Sequence, residues 1–438
     1  MADDTRGLSR RQLLQGSVGA VGAAIVAPGL GGANRVSSAL RRADAASTTT
    51  TVGSAGTSTP GAPTALSVDD LPAPIGLSPD DISFAWHVTD DSRGALQSAY
   101  RIVVTRFDPS TNSPGGPVVW DTGRHHSPHQ AFVPYRGPRL AADRPYSWTV
   151  QTWSRDGVAG PLAPPAVFET GLRTADWQAR WITRPADASV EPDQHTYLRR
   201  TFTLPPTPVT RARIYVSADQ RYELSVNGRR AGKGEAYSYP DTQYYETLDV
   251  TALLEPGTTN AIGILANWQA AAKGHPAGTS GVIAQLSVLL ADGSRQVVVT
   301  DGTWRVRRGA WLPGTQRDLE GDVVDYTENI DGLAVPVGWD SPGFDDSAWA
   351  PATVLGPAGT KPWTRLVSVR TRVVETPVPA VSLSTLGSGA VVADFGRVYA
   401  AVPTVAFHRG TPARVVTMRA GYLLDEPGNG QSIVGQAG

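Results

Sequence analysis

From Gln220 to Trp268 the chain reads QRYELSVNGRRAGKGEAYSYPDTQYYETLDVTALLEPGTTNAIGILANW, and no other stretch restricts its fold so tightly. Tyr222, Leu224 and Val226 alternate with polar neighbours and run into an Asn227-Gly228 pair. A polar, tyrosine-bearing loop follows, then Leu248-Asp249-Val250-Thr251, a Pro256-Gly257 turn and the apolar run from Asn260 to Trp268. Period-two alternation puts successive side chains on opposite faces of a strand, and Asn-Gly supplies the positive φ angles that a tight hairpin demands. The stretch therefore reads as antiparallel sheet, and the chain on either side reads as β-rich support for it.

Composition agrees. The 438 residues include 46 Gly, 35 Pro and only 2 Met, a turn-rich β profile in a chain long enough for several domains. A net charge of -1 argues against a nucleic-acid partner or a polybasic membrane surface. With no cysteine, a disulfide framework, a thiol nucleophile and cysteine-ligated zinc are excluded. The 12 Trp suit sandwich cores and carbohydrate-facing platforms equally well.

Residues 1–45 read as an address. Ser9-Arg10-Arg11-Gln12-Leu13-Leu14 resembles the bacterial twin-arginine export motif, a glycine- and alanine-rich run from Gly16 to Leu30 follows, and Ala43-Asp44-Ala45 is a cleavage candidate, although Arg41-Arg42 before it is atypical. The run is too short and glycine-broken for a permanent membrane span, so a secreted protein is expected. Residues 46–63, rich in Ser, Thr, Gly and Pro, read as a flexible linker.

Residues 64–172 carry about seven short alternating segments, among them Ile82–Trp86, Tyr100–Thr105, Pro117–Asp121 and Tyr146–Trp153, which predicts an immunoglobulin-like sandwich. His125, His126 and His129 fall in one of its loops without acidic or cysteine partners at defined spacing, and read as solvated rather than metal-binding. From 173 to 372 the strand pattern continues through the opening stretch. The segment GWDSPGFDDSAW at 338–349 resembles one found in galactose-binding-like jelly rolls, and Asp345-Asp346 would cap its turn.

These features carry a family resemblance. Ser83–Trp86, Trp120–Gly123, Tyr146–Trp148 and Phe168–Leu172 resemble the fibronectin type III-like module that opens many bacterial α-L-rhamnosidases, where it is usually a spacer. Tyr222–Trp268 resembles the N-terminal region of the same enzymes, and 319–325, LEGDVVD, is similar to a G-E-x-x-D segment of that family with its glycine and acid rearranged. Asp394-Phe395-Gly396 and the run Val416–Asp425 resemble the β domain that follows, with Gly421 where the family often carries Glu. The fold expected is all-β, in tandem sandwiches: fibronectin III-like (64–172), rhamnosidase N-terminal jelly roll (173–372) and an incomplete concanavalin-like sandwich (373–438).

The resemblance also implies a catalytic (α/α)6 barrel downstream, and no sustained helical periodicity occurs here. A truncated longer enzyme and a naturally short binding protein both account for that; unpaired strands at the end of the chain favour truncation. Glycoside hydrolysis needs two carboxyl groups about 5–5.5 Å apart for retention or about 6.5–9.5 Å for inversion. Glu320 and Asp322, roughly 6–7 Å apart if on a strand, match the second spacing, but acids beside a glycine in a β loop are more commonly solvated, and no catalytic residue is assigned. Sugar recognition uses aromatic faces for the ring and carboxylates or amides for its hydroxyls. The loop holding Tyr237, Tyr239, Asp241, Tyr244 and Tyr245, with Asn267 and Trp268 at a strand end, is the candidate binding site, set against a purely structural role for the same residues. Tyr239, Asp241, Tyr244, Asn267 and Trp268 are its expected contacts. Some modules of the family bind rhamnose through Ca²⁺, for which Asp241 and Asn267 are the ligand candidates. The function expected is thus the exported front portion of a rhamnosidase-like glycoside hydrolase binding rhamnose-containing glycans, with a stand-alone extracellular lectin-like protein or a structural spacer array as alternatives.

Overall fold

A computed structural model describes residues 59–434 apart from 109–110, 112, 186–192, 235–237, 240, 270–277, 313–315, 320–322, 327, 372, 388, 407, 409–414, 419–422 and 425–432. The export segment, Tyr237, Glu320 and Asp322 lie outside the described residues. Thr57–Gly438 forms one compact unit, and its regular structure is almost entirely strand.

The first module holds β1 (Thr64–Val68), β2 (Ser83–His87), β3 (Gln97–Arg106), β4 (Val118–Asp121), β5 (His125–His126), β6 (Val133–Pro134), β7 (Pro145–Ser154) and β8 (Ala166–Glu169). One sheet runs β1-β2-β6, the other β4-β3-β7-β8 with β5 alongside β3. Alternation explains the packing: Ile102 and Val104 of β3 and Trp148 and Val150 of β7 point inward with Phe84, whose ring centroid lies 4.6 Å from that of Trp148.

The jelly roll follows. Its strands are β9 (Arg180–Thr183), β10 (Gln194–Thr203), β11 (Val209–Asp219), β12 (Arg221–Val226), β13 (Arg229–Gly234), β14 (Thr242–Asp249), β15 (Thr259–Trp268), β16 (Gly281–Leu290), β17 (Arg295–Val299), β18 (Arg305–Arg308), β19 (Gln316–Leu319), β20 (Val323–Tyr326), β21 (Ala350–Pro351), β22 (Thr353–Pro357) and β23 (Arg365–Ser368). A six-stranded sheet, β13-β12-β15-β10-β18-β21, faces a seven-stranded one, β22-β9-β16-β11-β14-β23 with β17 on β16. Ile214, Val216, Leu224, Val226, Ile262, Ile264, Leu286 and Val288 fill the space between them. The Asn227-Gly228 hairpin forms as its sequence demands, with φ of 52° and 74°.

The outer face of the six-stranded sheet is covered by the tryptophan-rich segment 336–349. Asp345 caps a turn by accepting the Ser347 N–H at 3.0 Å, as expected. Asp346 does something else: it pairs with Arg199 of β10, which is 1% exposed and also donates to the carbonyls of Trp339 (2.8 Å) and Ser341 (2.9 Å). Beyond the jelly roll lie two small hairpins, β24 (Ser382–Thr385) with β25 (Val391–Asp394), and β26 (Leu423–Leu424) with β27 (Ile433–Val434).

Candidate functional site

Strand register decides which loops share an end of the sandwich. Asp219 pairs with Gly281, Gln194 with Trp268, Arg221 with Asn267, and Thr242 with Arg365. The two sheets meet where the Gln220 N–H reaches the Asn267 carbonyl at 3.3 Å. One rim therefore gathers the turn at Tyr239–Thr242, the Asn267–Gln269 strand end, Gly278–Gly281 and Trp363–Arg365. The five residues expected to contact a sugar all sit at this end.

They do not all face one way. Ala266 packs on the core opposite Tyr222, so parity sends Asn267 to the outer face of its sheet and Trp268 to the inner one. Asn267 donates its amide to Asp193 at 2.8 Å and lies 3.3 Å from Nδ1 of His195. The His195 ring is stacked flat on Trp311, with centroids 4.0 Å apart and planes within 4°. Burial pushes the His195 pKa below the ordinary imidazole value, against the opposing pull of the Asp193 carboxylate. A neutral ring leaves Nδ1 able to accept from Asn267. The buried Trp311 indole N–H beside it has no hydrogen-bond acceptor among the described residues.

The tyrosine turn presents exposed rings on a pinned backbone. Tyr239 is 75% exposed and Tyr244 42%. The Thr242 N–H closes the turn on the Tyr239 carbonyl at 2.9 Å, and Ser238 Oγ accepts the Tyr244 N–H at 3.0 Å. The Asp241 carbonyl takes the Arg365 N–H at 3.0 Å and the Thr364 hydroxyl at 2.9 Å, leaving its side chain at the surface. Tyr245, grouped with these residues on sequence, is instead fully buried against the first module.

Besides Asp193 and His195, sequence reasoning passed over Glu246 near this end. Glu246 shares the inward parity of Tyr244, two residues away, and accepts the Tyr222 hydroxyl of the opposite sheet at 2.9 Å. Burial pushes its pKa up to about 7, with the Tyr222 hydrogen bond opposing the rise. The signal lay in the spacing of Tyr244, Glu246 and Leu248, which puts an acid on a core-facing stripe.

Among the described residues no group of three or more His, Cys, Asp or Glu side chains is placed to hold a metal ion. Among the described residues Asp241 and Asn267 share no bonding partner, and Ca²⁺ takes about six to eight oxygen ligands, so most would have to come from other groups. No helix of the described residues is long and apolar enough to cross a membrane.

Fold and site together define a class: an immunoglobulin-like sandwich joined to a jelly roll with an open, aromatic end. Comparison with known proteins narrows it. Residues 63–174 match the model for a Rha78A-like N-terminal immunoglobulin domain, and residues 207–377 that for an α-L-rhamnosidase N-terminal domain. The chain is 28% identical over 330 residues to an α-L-rhamnosidase of Streptomyces avermitilis, covering 70% of this chain and 28% of that one. An α-L-rhamnosidase of Formosa agariphila is 27% identical over 296 residues, covering 63% and 31% respectively. The chain thus spans about a third of the length of the curated relatives it matches. The solved α-L-rhamnosidase of Dictyoglumus thermophilum superposes with a TM-score of 0.61 at 25% identity, over 77% of this chain and 38% of that one. The Streptomyces avermitilis enzyme complexed with L-rhamnose shares the fold at 21% identity, TM-score 0.52, over 77% and 49%. The chain carries the N-terminal modules of α-L-rhamnosidase-like proteins.

Proposed function

We propose that this chain is the exported, sugar-recognising front portion of a rhamnosidase-like glycoside hydrolase. Its jelly-roll end holds rhamnose-containing glycans, and the described modules bind and position rather than cleave. The observation that carries this reading is the pinned Tyr239–Thr242 turn, whose backbone is fixed while Tyr239 and Tyr244 stand exposed at the same end as Asn267. A deoxy-sugar offers an apolar ring face and methyl group to such tyrosines, and its hydroxyls to the Asp241 carboxylate and the Asn267 amide. A solved relative complexed with L-rhamnose supports the choice of sugar. Pinning the turn in advance lowers the ordering cost of binding.

Titration calorimetry of the full chain with L-rhamnose and an aryl rhamnoside, with and without a calcium chelator, tests the reading. Heat of binding is expected, weakened roughly tenfold by Tyr239→Ala. Heat that the chelator abolishes would show that binding needs a divalent cation. No heat under either condition ends the proposal, and turnover of the aryl rhamnoside that disappears in Glu320→Gln would replace it with a catalytic one. The export half of the proposal predicts that residues 1–45 carry a folded reporter out of a bacterial cytoplasm, and that changing Arg10 and Arg11 to Lys stops it.

A further inference from the structure

The outer face of the seven-stranded sheet carries a row of side chains that a solvated strand would not bury. Arg211, Arg213 and Tyr215 of β11 are 3%, 8% and 0% exposed. They meet two carboxylates of the first module, Asp143 and Glu169. Glu169 takes Arg213 in a fork (Nη2 at 2.7 Å, Nε at 2.8 Å) and also receives Nε and Nη2 of Arg211 at 3.0 and 2.8 Å. Asp143 accepts Arg211 Nη1 at 2.6 Å and the Tyr215 hydroxyl at 2.8 Å on one oxygen. Its other oxygen accepts the Ser287 hydroxyl at 2.6 Å and Arg295 Nη1 at 2.9 Å. Every carboxylate oxygen of the pair is used. Burial alone would raise the pKa of Asp143, but the Arg211 charge and these hydrogen bonds outweigh it and hold the carboxyl below its ordinary value.

A second seam contains no charge. The Tyr245 hydroxyl donates to the Leu172 carbonyl and accepts the Leu172 N–H, both at 2.8 Å. The Ser368 hydroxyl donates to the Gly76 carbonyl. Gly76, at φ +76°, lies so close to Thr247 that a Cβ there would fall 2.0 Å from its hydroxyl oxygen. Two alternate residues of β14 are thereby committed to the first module, Tyr245 to Leu172 and Thr247 against Gly76, while Asp249 turns the same way to Arg213 of β11 at 2.7 Å. The intervening Tyr244 and Glu246 face the opposite way.

We propose that the immunoglobulin-like and jelly-roll modules are one cooperative, rigid unit, in which the first module is the fixed partner of an arginine-bearing sheet face and braces β14 at Tyr245 and Thr247. The partner that this face fits is the acidic pair Asp143 and Glu169 of the same chain, and not a tethered neighbour swinging on a linker. The reason is desolvation. Buried guanidinium and carboxylate groups are tolerated only while paired, so an opening too narrow to admit water leaves several charges buried and unpaired and is not a stable halfway state. This inference holds whatever the rim binds.

Hydrogen exchange of the full chain, followed by mass spectrometry in rising denaturant, tests it. Peptides from β7 and β8 and peptides from β11, β14 and β16 are expected to lose protection at one midpoint. Raising NaCl to about 1 M is expected to leave them together, because buried pairs are poorly screened. Gly76→Ala, which touches no charge, and Glu169→Gln are each expected to separate the two sets and to lower the first melting transition by roughly 5–10 °C. Loss of protection in the first module while the jelly roll stays protected, in the unaltered chain, overturns the proposal. A single midpoint retained in Gly76→Ala does so too. Should Glu169→Gln fail to fold, those two results still decide the question.

Discussion

Replacing Arg199 by alanine is expected to destabilise the jelly roll by about 3–5 kcal/mol, the largest single-residue effect anticipated in that module. Its guanidinium is the shared donor for the carbonyls of Trp339 and Ser341 and for the Asp346 carboxylate, and lies 5.4 Å from the centroid of the Phe344 ring. Without it, the Trp339 carbonyl and the Asp346 carboxylate lose this donor, the Ser341 carbonyl keeps only the Phe344 N–H at 3.3 Å, and the covering segment loses the anchor that holds Trp339 and Trp349 near Tyr197. Lysine should rescue little, since a single ammonium cannot span three acceptors arranged around a planar fork. Urea unfolding followed by tryptophan fluorescence measures the loss. A change under about 1 kcal/mol would show that the segment holds without its arginine.

Glu246→Gln is expected to change the pH dependence of stability, with the sign set by its raised pKa. The ordinary value is 4.5 and the folded value about 7, so the folded state binds the proton more tightly between those limits. Stability from this group is complete below pH 4.5 and is lost as pH rises through 7, by on the order of 3 kcal/mol for the full shift. Glutamine can still accept from the Tyr222 hydroxyl and cannot ionise, so the variant should be the more stable protein at pH 8 and close to the parent at pH 5. Asp143 works in the opposite direction: its carboxyl is held below the ordinary value, so its contribution is present at neutral pH and lost as pH falls below the usual carboxylate range. Urea midpoints at pH 5 and pH 8 separate the two groups. Parallel pH profiles for Glu246→Gln and its parent would show that Glu246 does not titrate in this window.

The β-sandwich architecture was legible from local pattern alone. Tyr222, Leu224 and Val226 alternate inward, the Asn227-Gly228 turn has the dihedral angles its sequence demands, and the aromatic segment at 338–349 packs on a sheet. The candidate site was legible less evenly. Tyr239 and Tyr244 could be picked out as a polar aromatic loop, but nothing local distinguishes exposed Tyr244 from buried Tyr245. Asn267 and Trp268, adjacent in sequence, face opposite sides of their sheet. The partner of Asp346 lies 147 residues away on β10, beyond the reach of any local signal.

Strand β11 shows where the division falls. Its sequence, with Ala212, Ile214, Val216 and Ala218 interleaved with Arg211, Arg213, Tyr215 and Ser217, fixes two faces, because backbone geometry sends neighbouring side chains in opposite directions. By itself that pattern reads as a half-buried strand with arginines in water. What covers its polar face is a matter of contacts made 42 to 72 residues apart, and only the tertiary structure brings Glu169 and Asp143 over the arginines. Local chemistry determined the sheets and their alternation. The folded chain decided which polar face became buried between modules and which end was left open.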